Sequence, residues 1–527
     1  MCLGIDSFGF SKCLLRNSQY AQANQIQYKW FLALPTLRHE ERHQWFSVHR
    51  FFCFCFLPAV LGIYYLVKLA SPATNRFVNI WLLLASIFFY VWGAPKSSYL
   101  LVFGAGVILD FYIALAIARY QRLVAGTGLA RTLLCAAIGI NLLLLVYYKY
   151  ANFFVDELSK TVGGPQWAWQ AVILPIGISF IVFHKISYLV DVYRRKVEPR
   201  RNISEFVLYL LFFPQLIAGP IVRYHTIAAQ ITERTHSLDL MFLGLWRFAV
   251  GLAKKVLIAN QLGLMVDTIF AQPVTALDPT LAWLGVILYT LQIYFDFSGY
   301  TDMAIGIGMM FGFRLPENFN RPYTSKSITE FWRRWHISLS LYFRDYVYIP
   351  LGGNHLSLGR TLLNLWLVFL LCGLWHGAKW TFVFWGAYFG LWLTLERLFL
   401  LRTLERTPAF VATAYAFFVV VIGWVFFRSP DLAYAFDFLA KMFNFQTATT
   451  GVTPYDLTVD YGLYPKVILC AVIGLVVSFF PDSILKKWHV PQRWQPLLKG
   501  LGALVLLGYS VMNLATGTFN PFLYFQF

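Results

Sequence analysis

The chain has 527 residues, of which 58% are hydrophobic, 19% aromatic and only 13% charged. Soluble globular domains are roughly a quarter charged, so the composition excludes an ordinary soluble protein and points to a membrane one. The formal charge of +18 sits in short connections between apolar runs, where sorting of basic loops to the cytoplasm accounts for it; nucleic-acid binding, which needs a basic face on a soluble module, is excluded.

Residues 1–44 form a polar leader of mixed charge with no continuous apolar core. No apolar h-region follows the first basic residues, so a signal peptide is not expected. His39-Glu40-Glu41-Arg42-His43 matches H-E-x-x-H, but a zinc site needs both histidines on a supported helix face plus a third ligand. In a polar leader the match reads as accidental, and no metal is expected. The seven cysteines, Cys2, Cys13, Cys53, Cys55, Cys135, Cys372 and Cys470, form no C-x-x-C pair. Most lie in apolar runs and read as small buried hydrophobes.

Apolar runs begin near 51–70, 77–94, 98–118 and 132–149, most of them long enough for a hydrocarbon core of about 30 Å. Run 171–192 is interrupted by Pro175 and Gly177, and run 203–222 by Pro214 and Gly219-Pro220. Such breaks at membrane depth line a cavity or re-enter, because the freed backbone groups need partners. Further runs lie near 241–259, 280–298, 361–376, 379–400, 409–427, 463–480 and 498–516. Segment 327–350 interleaves Trp332, Trp335, Leu339, Tyr342 and Tyr346 with Arg333, Arg334, Arg344 and Asp345, the pattern of an amphipathic helix at an interface or cavity wall. The sum is one all-α polytopic membrane domain of about 10–12 transmembrane helices, with re-entrant or amphipathic helices besides. Basic connections at Arg119–Arg131 and Arg194–Arg201 are two spans apart and both belong in the cytoplasm. Counting back puts the start of the first span outside, which Arg38, Arg42 and Arg50 oppose unless the leader is absent.

Several residues stand out chemically. Asp296 and Asp302 fall in Asp296-Phe297-Ser298-Gly299-Tyr300-Thr301-Asp302; intramembrane carboxylates are costly and face a partner or a wet cavity. Pairing with Arg314 or Arg333 and a catalytic role are both open. Gly306, Gly308 and Gly312 follow, without the strand–turn–helix context of a dinucleotide site; they read as small residues that let helices approach closely. His336 lies in Phe331-Trp332-Arg333-Arg334-Trp335-His336-Ile337-Ser338-Leu339-Ser340, and His376 in Gly373-Leu374-Trp375-His376-Gly377-Ala378. An imidazole at membrane depth can act as a general base or simply pack within a helix bundle.

Taken together, D-F-S-G-Y-T-D, F-W-R-R-W-H-I-S-L-S, Phe343-Arg344-Asp345-Tyr346-Val347-Tyr348-Ile349-Pro350-Leu351-Gly352-Gly353-Asn354 and G-L-W-H-G-A resemble the membrane-bound O-acyltransferases, and within them the alginate O-acetyltransferase branch. The resemblance spans residues 45–527, with a signature core at 296–378 and an aromatic tail at 519–527. It implies a ring of helices around a central tunnel, in the inner membrane. It also implies transfer of an acetyl group from cytoplasmic acetyl-CoA, with no bound cofactor, for O-acetylation of an exported polysaccharide. A periplasmic SGNH or esterase-like partner and surrounding lipid complete the expected contacts. By the same resemblance His376 is the catalytic base and His336 the second signature histidine. Arg333, Arg334, Asp296 and Asp302 are then candidate contacts to the donor or tunnel, Arg333 and Arg334 suiting CoA phosphates or an interfacial anchor. Tyr524, in the tail, reads either as an acyl relay or as an interfacial aromatic anchor. Gln44–Phe51 resembles the usual short start of the family, and the methionine after Met1 is Met241, so residues 1–44 are expected to be disordered or absent from the native protein. Two rivals give different expectations. A non-catalytic scaffold of an export complex would tolerate loss of His376, and a transporter would show internal repeats with coupling carboxylates. The acceptor, whether alginate, cellulose, peptidoglycan or another glycan, is not legible in the motifs.

Overall fold

The computed structural model describes residues 52–93, 98–123, 126–162, 169–216, 219–445, 464–480 and 491–516. The leader, Tyr524 and the tail 519–527 lie outside the described residues. Every regular element among the described residues is helical, as the apolar runs require in a medium where backbone groups must pair within their own segment.

Four helices come first: α1 (Leu57–Ala70), α2 (Arg76–Gly93), α3 (Ser98–Gln121) and α4 (Thr127–Val162). At 36 residues, α4 runs well past the apolar stretch that ends at 149, finishing in a polar turn where Glu157 pairs with Lys160 at 2.7 Å. The interrupted runs become α5 (Ile178–Tyr193) and α6 (Ile203–Leu211), followed by α7 (Tyr224–Thr232). Gly177, at φ +70°, opens α5, and a Cβ there would meet the Leu216 carbonyl oxygen at 2.5 Å. The two broken runs therefore meet at their breaks. Nearly every residue of α5 is buried, so its all-round apolar character reflects the protein interior rather than lipid.

The centre is α10 (Pro279–Met310), preceded by α8 (Leu238–Ala253) and α9 (Asn260–Ala271). Asp278 caps α10 by accepting the Leu281 N–H at 2.8 Å, with Pro279 in the first turn. Of the most apolar window of α10, 78% is buried, against 11% for the last helix, which faces outward. Then come α11 (Ile328–Arg334), α12 (Ile337–Phe343), α13 (Leu358–His376), α14 (Trp380–Leu395), α15 (Leu401–Glu405), α16 (Ala409–Arg428), α17 (Leu432–Phe443), α18 (Pro465–Phe479) and α19 (Gln495–Thr516). Among the described residues, six helices are long and apolar enough to cross a membrane, and shorter apolar helices lie at Leu57–Ala70, Arg76–Trp92 and Pro465–Phe479. The protein is thus an all-α, multi-pass membrane protein.

The glycines of α10 do what their size allows. A Cβ at Gly251 of α8 would reach 2.6 Å from the Gly299 carbonyl, and one at Gly244 would reach 2.6 Å from that of Gly306. Backbone lies against backbone along this seam. Gly251→Leu should therefore lower the abundance of folded protein in the membrane sharply, whereas Gly62→Leu, where a Cβ would meet nothing within 4 Å, should not. Fluorescence size-exclusion profiles of the two variants check the contrast.

Two expectations are corrected. Segment 327–350 is not one amphipathic helix: α11 and α12 are separated at Trp335-His336, and His336 takes φ 45° and ψ 53°, a left-handed conformation that no helix continues. The carboxylates of α10 pair with neither Arg314 nor Arg333. Asp296 pairs with Lys255, both buried. Asp302 accepts from Arg247 Nη2 at 2.8 Å and Lys254 Nζ at 2.6 Å. Those cations stand on α8 and on the π-helical turn Lys254–Ala259 that follows it. Similar π-helical turns at Arg344–Tyr348 and Glu396–Leu400 also bury a charged side chain, Asp345 and Glu396. Such bulges re-aim side chains and recur at functional sites.

Candidate active site

The segment bearing His336 is anchored at its start by polar groups of its own first turn and of the π-helical turn at Glu396–Leu400. Ser327 accepts the Glu330 N–H at 3.0 Å, and Glu330 accepts the Lys326 N–H at 2.8 Å, a capping exchange at the head of α11. The buried carboxylate of Glu396 accepts the N–H groups of Ile328 and Thr329 at 2.6 and 2.8 Å, placing negative charge at the positive end of the helix. At the far end of α11 the chain turns through His336, whose ring is only 1% exposed. Its Nδ1 lies 3.0 Å from Asn318 Oδ1.

His376 is the last residue of α13 and is 6% exposed. Aromatic rings box it in: Trp375 at 5.0 Å between centroids, Trp385 and Phe427 at 5.2 Å, and Phe382 at 6.5 Å. The flanking glycines make the box possible. A Cβ on Gly373 would fall 2.2 Å from the Phe382 carbonyl oxygen, and one on Gly377 would fall 2.3 Å from the Phe382 ring. That is why the histidine stands in G-L-W-H-G. The carbonyl groups ending α13, orphaned by helix geometry, are capped from α4. Lys149 Nζ donates to the carbonyl oxygens of Trp375 and His376, the latter at 3.3 Å, and the Tyr150 hydroxyl donates to that of Leu374. A cation at the negative end of a helix is also favoured by the dipole.

The two histidines meet at one residue. The Trp375 indole lies 6.2 Å from the His336 ring and 5.0 Å from the His376 ring, between centroids. Phe297, from D-F-S-G-Y-T-D, packs edge-on against His336 at 4.8 Å. Phe183 of α5 lies between Tyr342 at 4.1 Å and Trp375 at 5.4 Å, stacked on both. Phe343, the first residue of the third motif segment, meets Phe183 edge-on at 5.9 Å, so all four motif segments converge on this aromatic centre. Asp296 and Asp302 are instead tied up in the ion pairs described above. Arg334 pairs with Glu330 at 2.6 Å, and Arg333 is exposed.

Sequence reasoning missed Lys149, Asn318 and Glu396. Lys149 was visible only as the end of an apolar run, because the length of α4 was not. Asn318 and Glu396 are ordinary polar residues whose partners lie 18 and 68 residues away. The buried His184 of α5, which accepts the Val222 N–H at 3.3 Å, was hidden in the same way.

The arrangement, two buried imidazoles in an apolar aromatic centre of a membrane protein, suits base catalysis sheltered from bulk water. Residues 145–429 match the model of the membrane-bound O-acyltransferase family. The chain is 41% identical to a probable alginate O-acetylase of Azotobacter vinelandii and 40% identical to one of Pseudomonas putida, in each case over 90% of this chain and 99% of the relative. It is 33% identical to a peptidoglycan O-acetyltransferase of Helicobacter pylori, over 90% of this chain and 96% of that protein.

Proposed function

Because the chain belongs to the membrane-bound O-acyltransferase family and is a multi-pass O-acyltransferase, we propose that it carries acetyl groups from cytoplasmic acetyl-CoA across the inner membrane for O-acetylation of an exported, alginate-like polysaccharide. The observation that supports this reading is the convergence of His336 and His376 on Trp375. In the proposed step the acceptor hydroxyl oxygen attacks the carbonyl carbon of the acetyl thioester. The new C–O bond forms, the C–S bond breaks, and the thiolate of CoA leaves. His376 takes the hydroxyl proton and returns it to the thiolate, so the imidazole is regenerated. Burial of the centre excludes water, which would otherwise hydrolyse the thioester.

In this reading His336 orients the donor and shares proton transfer with His376, and exposed Arg333 offers a guanidinium to the phosphates of CoA. Arg334 already spends its charge on Glu330. A periplasmic esterase-like partner would receive the acetyl group on the outer side. Deleting the gene should remove acetyl esters from the exported polymer, and supplying the chain in trans should restore them. Unchanged ester content in the deletion strain contradicts the reading.

Lys149 gives a finer test, since it fixes the end of α13 that carries His376. Lys149→Met keeps the apolar stem but leaves two buried carbonyl groups without their donor. It should slow acetylation by about tenfold, the rate equivalent of roughly 1.4 kcal/mol. Lys149→Arg, which keeps a cation and N–H donors, should recover most of the rate. Equal rates in wild type and the Met variant would remove Lys149 from the site.

A further inference from the structure

We infer that Asn318 is a positioning residue that locks His336 in the tautomer protonated on Nδ1, so that Nε2 is its basic nitrogen. The inference rests on the proposed role of His336 in acyl transfer and adds a residue that the motifs do not contain.

Three contacts of one atom carry the argument. Asn318 Oδ1 lies 3.2 Å from the Ser338 backbone N, 2.9 Å from Ser338 Oγ and 3.0 Å from His336 Nδ1. The oxygen and nitrogen of an amide side chain are easily interchanged, and their placement rests on the partners around them. Here the partner decides. A backbone N–H can only donate, so the atom facing Ser338 N must be the acceptor, and the acceptor of an Asn amide is its oxygen. The same oxygen faces His336 Nδ1 and can only accept there too. Nδ1 therefore carries the proton, and in the neutral ring the lone pair is on Nε2. The hydroxyl of Ser338 is consistent with this, donating to Asn318 Oδ1 while accepting the Ile221 N–H at 2.9 Å.

The backbone around Asn318 aims the ring as well. His336 holds a left-handed conformation at φ 45°, which a non-glycine residue keeps only where its surroundings fix it. The segment 318–320 supplies that fixing. The Asn318 carbonyl accepts the Ile337 N–H at 2.9 Å, and the Asn320 N–H donates to the Arg334 carbonyl at 2.9 Å. The main chain thus directs the imidazole toward Trp375, and the Asn318 side chain sets which nitrogen is basic. Nδ1 keeps its hydrogen in both the neutral and the protonated ring, so Asn318 need not move as Nε2 gains and loses a proton. Asn318 is 1% exposed, which keeps water from competing for Nδ1.

The test uses membranes containing the full chain together with the periplasmic partner, radiolabelled acetyl-CoA as donor and alginate as acceptor. Wild type, Asn318→Leu, Asn318→Asp and His336→Ala are compared for kcat, for KM toward acetyl-CoA and for dependence on pH. His376 shares the Trp375 ring with His336, and Lys149 donates to the His376 carbonyl. All three remain in both Asn318 variants. Asn318→Leu should lower kcat by about 100-fold with KM unchanged. Asn318→Asp keeps an acceptor oxygen against Nδ1 and should hold kcat within about tenfold of wild type. Its carboxylate favours the protonated ring, so the acid limb of the profile should move to higher pH. A wild-type kcat in Asn318→Leu, or a change confined to KM, overturns the inference. If the Leu variant fails to accumulate, the Asp variant decides alone: a shifted acid limb supports the tautomer lock and an unshifted one overturns it. An active His336→Ala protein overturns the parent reading. An inactive His336→Ala together with a fully active Asn318→Leu overturns this inference only.

Discussion

His376→Ala should lower polymer acetylation by at least about 100-fold, the lower bound for removing a positioned general base, while leaving the protein in the membrane. The second half of that expectation follows from how His376 is held. Its backbone ends α13 under the cap of Lys149 and Tyr150, which bind main-chain carbonyls and do not depend on the imidazole. The aromatic box would keep its own contacts, because Trp385 packs on Phe427 at 5.2 Å and Phe382 on Phe427 at 5.0 Å. Truncation therefore removes chemistry and a modest volume, not the architecture. His376→Gln, closer in size but without a base near neutral pH, should be equally inactive. An active Gln variant would mean that the residue packs and does not catalyse, as a scaffold would require. Acetyl ester content of the exported polymer, normalised to membrane abundance, is the measurement.

Removing one partner of the Asp296–Lys255 pair should have the largest effect on stability. Both side chains are buried, at 4% and 8% exposure, and the pair ties α10 to the π-helical turn after α8. Asp296→Ala leaves the ammonium of Lys255 in the interior without its carboxylate, a loss on the order of 3–5 kcal/mol. The thermal midpoint in detergent should fall accordingly. Replacing both, as Asp296→Leu with Lys255→Met, should recover much of the loss, because an apolar pair of similar volume pays no desolvation of charge. Asp302→Ala should cost less, since Arg247 retains Glu317 and is itself partly exposed. A single Asp296→Ala variant as stable as wild type would show that the pair does not hold α10 in place.

How much of this was legible in the sequence depended on the range of the interaction. The all-α polytopic class followed from the apolar runs, and the gathering of residues 296–378 around the two histidines was foreshadowed by their motifs. Of the glycines read as close-approach residues, Gly306 lies against the Gly244 backbone, whereas Gly308 faces the Leu315 side chain and Gly312 takes φ +83° in the turn after α10. Runs 171–192 and 203–222 were harder. A segment apolar on all sides looks the same whether it faces lipid or the protein interior, and only packing shows that α5 is interior. The carboxylates misled for a related reason. Arginines nearby in sequence offered themselves as partners, whereas Lys255 reaches Asp296 across 41 positions, through a π-helical turn that no periodicity announces. The break at His336 was invisible because Trp, Arg, Leu and Tyr spacing fits a continuous amphipathic helix. The left-handed turn is held by the segment 318–320, which bonds to the main chain on either side of it, not by residues 335–336 themselves.

The central claim is vectorial acyl transfer by this chain, and sealed inside-out vesicles test it most directly. With acetyl-labelled acetyl-CoA supplied outside, at the former cytoplasmic face, and alginate with the periplasmic partner enclosed, label should appear on the enclosed polymer. The transfer should depend on the chain and be lost in His376→Ala. Label that remains entirely as acetyl-CoA, or that reaches the polymer equally well without the chain, would contradict the account.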